Sequence, residues 1–124
     1  MHIFNSTEYA EKTNPTPAKT YKTDILSDLK AQSLCGVFTI VMPGDKGGAY
    51  HTHEKREHII VIIEGEGVEI VEGREFPVKA GDVLFVPAGE KHTIKNNSAK
   101  EMRYLGFCSC TPGVPDKQEL EENR

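Results

Sequence analysis

Between residues 34 and 108 apolar positions either alternate with polar ones or run unbroken for four or five residues, and no long segment carries a helical period. Leu34–Met42 is rich in Val, Ile, Phe and Thr and stops at Pro43-Gly44, a turn signal. His58–Ile63 is a dense β-branched run that ends before Gly65. Val68–Val71 and Glu75–Lys79 flank Glu72-Gly73, a hairpin turn. Val83–Val86 runs into Pro87-Ala88-Gly89, His92–Lys95 into Asn96-Asn97-Ser98, and Met102–Cys108 is the last strand candidate. Short strands at regular spacing, punctuated by Gly and Pro, predict an all-β sandwich or barrel. Phe38, Ile40, Ile60, Ile62, Leu84, Val86 and Phe107 alternate as core residues should.

Outside this block the pattern fades. Residues 1–33 read as a polar N-terminal arm with an edge strand near Lys19–Thr23. Over Asp24–Gln32 either a short helical turn, capped by Asp24 or Ser27, or a plain surface loop fits the residues. The barrel is expected over 34–110. Residues 111–124 form an acidic tail, either disordered or opening a short helix at Pro115-Asp116.

Composition narrows the class. A chain of 124 residues, 37% hydrophobic and 27% charged, makes one folded domain. The longest apolar run, Ile59–Ile63, is too short to cross a bilayer, so no membrane partner is expected. Met1–Ala10 has no basic stretch followed by an apolar one, so no secretory leader is expected. A net charge of −4 disfavours nucleic acid as a partner. Three cysteines, Cys35, Cys108 and Cys110, are an odd number and too few for a disulfide scaffold. They fit a reducing, cytoplasmic setting. The pair Cys108 and Cys110 lies on one strand face and reads as buried strand thiols ahead of a metal or redox role.

The histidines change the picture more. Of five, His51, His53, His58 and His92 fall in the middle of the strand block. On an extended strand, His51 and His53 leave the same face, so both can reach one metal ion. Glu57 and His58 follow closely, and His92 arrives on a separate strand after a tight turn. A barrel can bring that strand beside the first.

The stretch from His51 and His53 through Glu57/His58 to Gly65 resembles the first motif of the cupin superfamily. Gly81, Pro87, Gly89, His92 and Asn96 stand at the spacing of its second motif. The resemblance implies a double-stranded β-helix, or jelly-roll barrel, with a metal site. One position departs from the pattern. The family usually has Glu six residues before the first-motif Gly, and here that place is His58, while Glu57 keeps the family's shorter spacing from His53. Neighbouring strand residues face opposite ways, so only one of the two can ligate unless a bulge intervenes. The count from Gly65 favours His58, giving a site of His51, His53, His58 and His92 like that of an all-histidine subset of cupins. With Glu57 instead, the site is three histidines and a carboxylate.

The implied cofactor is a divalent transition metal: Fe, Mn, Ni, Zn or Cu. Open coordination positions suit a small-molecule enzyme, either a dioxygenase-type oxidation or metal-assisted isomerase or lyase chemistry on an oxygenated or sugar-like substrate. Glu57 and Tyr50 are the visible acid/base candidates. Segment 108–115 weakly resembles that of sugar-isomerase-like small cupins. The alternative is a non-catalytic ligand-binding or sensor cupin with a structural metal. Strand Ile59–Ile63 is apolar on both faces, and with an arm available for exchange a homodimer is expected.

Overall fold

The computed structural model describes residues 1–8, 21–26, 29–47, 50–109 and 117–119. Ten strands appear in chain order: β1 (Tyr21–Asp24), β2 (Leu34–Val41), β3 (His51–His53), β4 (His58–Glu64), β5 (Glu66–Val71), β6 (Arg74–Lys79), β7 (Val83–Val86), β8 (His92–Lys95), β9 (Met102–Ser109) and β10 (Lys117–Glu119). They build two five-stranded sheets, one ordered β1-β2-β9-β4-β7 and the other β10-β3-β8-β5-β6. All named pairings are antiparallel. The jelly-roll architecture read from the sequence is the one present.

Strand alternation gives each sheet one face turned towards the other sheet, and these inward faces meet as an apolar core. Val41, Ile60, Ile62, Val86, Met102 and Tyr104 from the first sheet pack against Val78 and Ile94 from the second. A second cluster lies on the other side of the first sheet, where Phe38 and Ile40 are covered by Phe4, Ile25 and Leu26. The N-terminal segment thus serves as a lid on a sheet that is apolar on both faces. The expected edge strand is present as β1, paired with β2.

Turn chemistry fixes where strands end. Gly65 has φ +82°, and a Cβ there would sit 2.6 Å from the Glu101 carbonyl oxygen, so only glycine fits this turn. Gly89, at φ +86°, lets its N–H donate to the His53 carbonyl (2.7 Å), tying the β7–β8 turn to β3. Asn96 is buried; its Nδ2 donates to the carbonyls of Val41 (2.9 Å) and Lys100 (2.7 Å), while Oδ1 accepts from the Ser98 N–H at 2.9 Å. One side chain therefore closes two loops.

Two expectations change, and one choice that the sequence leaves open is narrowed. After β1 the Asp24 Oδ1 accepts from the Leu26 N–H (3.0 Å), and Leu29 N–H donates to the Leu26 carbonyl (3.1 Å). A single turn stands there among the described residues; Ser27 lies outside them. In the tail, Lys117–Glu119 pairs with β3 as a strand, where the sequence suggests helix or disorder; Pro115 and Asp116 lie outside the described residues. Finally, Cys35 is disulfide-bonded, whereas Cys108 is a half-buried thiol. An odd count leaves a thiol over but does not stop others from pairing, so the cysteines give no argument for a reducing compartment. Cys110 lies outside the described residues. No helix among the described residues is long and apolar enough to cross a membrane.

Candidate metal centre

His51 and His53 share a face of β3, two residues apart, and His51 is the register partner of His92 on β8. Opposed residues on antiparallel strands have adjoining side chains, and the His51 and His92 ring centroids are 4.4 Å apart. One ligand atom from each of His51, His53 and His92 lies within 4.8 Å of the others. His58 enters from the opposite sheet. It shares its β4 face with the core residues Ile60 and Ile62, and its ring centroid is 4.2 Å from His53 and 5.9 Å from His92. Rings from both sheets therefore face one another at one end of the sandwich.

They border a cavity of about 220 Å³. His53 and His92 are buried, and His51 and His58 half-buried. Burial, reinforced by the nearby His53, His92 and His51 rings and by Arg56, pushes the His58 imidazole down to about 3. That ring is neutral at ordinary pH, the state a metal ligand needs. The Nε2 atoms of His58 and His92 are buried and make no hydrogen bond. Buried polar atoms normally find a partner, and two imidazole nitrogens facing a cavity beside two further imidazoles are what a transition-metal ion would satisfy. The donor set fits the metal.

Of the two sequence candidates for the remaining position, Glu57 is exposed and does not line the cavity, whereas His58 does. The bulge in β4 falls between Ile62 and Glu64, beyond His58, and leaves the inward face of His58 undisturbed. Tyr50 is half-buried just before β3 and is not among the lining residues.

Other residues share the cavity lining with the histidines. Lys22 and Arg56 bring positive charge to its lining, and Cys35 and Cys108 line it as well. Tyr104 is buried within it, and burial pushes its phenol up to about 12. Most unexpected is Glu69 on β5. Its side chain and that of His92 are each 4% exposed, with Glu69 Oε1 2.7 Å from His92 Nδ1. Burial raises the Glu69 carboxyl above its ordinary range, against the opposing pull of the His92 hydrogen bond.

Comparison with known proteins places the fold. Residues 37–108 match the family described as the cupin domain. An oxalate-binding protein of Thermotoga maritima is 41% identical over 63 residues, which is 51% of each chain, so this chain spans about half the length of that relative. A crystal structure of an uncharacterized conserved protein with a double-stranded β-helix domain, from Klebsiella pneumoniae, superposes with TM-score 0.81 at 21% identity, covering 98% of this chain and 99% of that one. A predicted oxalate decarboxylase of Thermotoga maritima gives TM-score 0.65 at 28% identity, covering 73% of this chain and 79% of its own.

Proposed function

The chain belongs to the cupin domain family, and we propose that its cavity holds a divalent transition metal on His51, His53, His58 and His92 and acts there on a small oxygen-rich acid of the oxalate type. The observation that carries this reading is the meeting of three imidazoles within 4.8 Å, from two strands distant in sequence. When bound, the metal supplies Lewis-acid polarisation of an oxygen ligand. The chain supplies the rest. Arg56 and Lys22 attract and orient a carboxylate at the cavity lining, and Ile60, Ile94 and Phe107 exclude water beside it. A cavity of about 220 Å³ suits a substrate of a few heavy atoms. The oxalate descriptions of the Thermotoga maritima matches support that substrate class.

Metal-assisted lyase chemistry is the enzymatic form of this reading. The second reading is binding without turnover. It is favoured by the name of the oxalate-binding relative and by Glu69 being the only carboxylate among the described lining residues. Elemental analysis of natively purified protein should find an Fe, Mn, Ni, Zn or Cu ion. Calorimetry should show oxalate binding to metal-loaded but not to chelator-stripped protein. Equal binding to both forms would overturn the proposal. ¹³C NMR of labelled oxalate then separates turnover from binding, and oxygen uptake with catechol-type compounds or stabilisation by sugar phosphates would redirect it to dioxygenase or isomerase chemistry.

A second copy of this chain belongs on the outer face of the first sheet. Ile59, Val83 and Phe85 are 45%, 64% and 58% exposed there. Ile59 pairs with Phe85 and Val61 with Val83, so the side chains form one contiguous patch. Sedimentation should give the mass of a homodimer, and Phe85→Lys should shift it towards the monomer; a monomeric wild-type protein rejects this assignment.

A further inference from the structure

We propose that Glu69 is a positioning residue that locks His92 into the tautomer presenting Nε2 to the metal. The inference rests on the metal-holding reading above for its consequence, though not for its geometry. Glu69 on β5 is the register partner of Ile94 on β8, and Val71 is that of His92. Ile94 belongs to the core between the sheets, so Glu69 points inward and lies diagonal to His92 on the same face. A carboxylate in this place costs several kcal/mol of desolvation unless it is compensated. An apolar side chain would pack there without that cost.

What Glu69 gains is one short contact, Oε1 to His92 Nδ1 at 2.7 Å, while Oε2 is buried and makes no hydrogen bond. A carboxylate only accepts, so the hydrogen of this bond belongs to Nδ1. In a neutral ring the lone pair is then left on Nε2, which makes no hydrogen bond within the protein. The bond settles which nitrogen can ligate, and the carboxylate holds the ring in the orientation that presents it. It also places one negative charge beside a cavity otherwise lined by imidazoles, Arg56 and Lys22.

The tautomer can be read directly in metal-free, full-length protein by ¹⁵N–¹H long-range correlation NMR at a pH where imidazoles are neutral. Wild-type His92 should show a protonated Nδ1 and a bare Nε2. Glu69→Gln, whose side-chain carbonyl still accepts, should keep that pattern, whereas Glu69→Leu should let the Nε2-protonated form appear. Zinc affinity, measured by competition with a chromophoric chelator, should weaken about 10–100-fold in Glu69→Leu and less in Glu69→Gln. A wild-type His92 protonated on Nε2 overturns the proposal without any variant having to fold. So does an unchanged tautomer in Glu69→Leu, or zinc affinity there within twofold of wild type. A wild-type protein with the Nδ1-protonated ring but no zinc affinity would instead sink the metal-holding reading and leave the positioning of His92 standing.

Discussion

His53→Ala should strip the purified protein of metal, leaving less than about a tenth of the wild-type content. The effect should exceed the roughly 10–100-fold loss typical when a residue that only orients a ligand is removed. His53 is the ring that links the two sheets. Its centroid is 4.8 Å from His51 on its own strand and 4.2 Å from His58 on the facing sheet. Removing it separates His58 from the pair formed by His51 and His92. The fold should survive, because the packed core of Val41, Ile60, Ile62, Met102 and Tyr104 does not include His53. Far-ultraviolet circular dichroism should therefore stay unchanged while elemental analysis changes sharply. Two companions sharpen the reading. Glu57→Ala, at an exposed position outside the cavity, should keep full metal content. His58→Ala should lose metal, since the proposed site has four imidazoles. Full content in His53→Ala would remove the basis of the proposed function.

The parts of this site that were legible in the sequence are those set by local chemistry. His51 and His53 share a face because strand side chains alternate, and that holds in whatever sheet the strand enters. Gly89 and Asn96 announce their turns because a positive φ and a side-chain-closed loop each need particular residues. The core strands from Leu34 to Ser109 carry enough apolar alternation to be placed within a residue or two. Glu69 is different. In Val68-Glu69-Ile70 a charged residue between apolar ones reads as the solvent face of a strand. Only the register of β5 against β8, with Glu69 opposite Ile94, shows that the polar residue is on the inside. Register depends on the partner strand, so a single strand's pattern cannot carry it. Strand β10 was hidden for a similar reason. Its three residues join β3 through backbone pairing, which leaves no hydrophobic pattern to find. Arg56 and Lys22 lie far apart in the chain and reach one cavity only through the closure of the sheets.

Stability of the metal-free protein should fall as pH drops from about 6.5 towards 3, and His58→Gln should remove much of that fall. The His58 imidazole is lowered from 6.5 to about 3, first by burial and then by His53, His92, His51 and Arg56. Between those values the unfolded chain binds a proton at this position and the folded chain does not. Protons then favour unfolding, so the stabilising effect of a neutral His58 is complete above 6.5 and is lost as pH falls through the window. One proton bound only by the unfolded state gives a slope of at most about 1.4 kcal/mol per pH unit. Because His58 is only half-buried, solvent screens part of this, and the total comes to about 2–3 kcal/mol. Urea titrations in the presence of chelator at a series of pH values read the quantity directly. Carboxylate protonation adds the same background to both proteins and cancels in the comparison. The His58→Gln curve of unfolding free energy against pH should be visibly flatter between pH 6.5 and 4, and parallel to wild type above pH 7. Parallel curves throughout would mean that the His58 ring takes up its proton in the folded protein as readily as in water. That would place the ring in solvent, outside the group of imidazoles from which the fourth ligand was drawn.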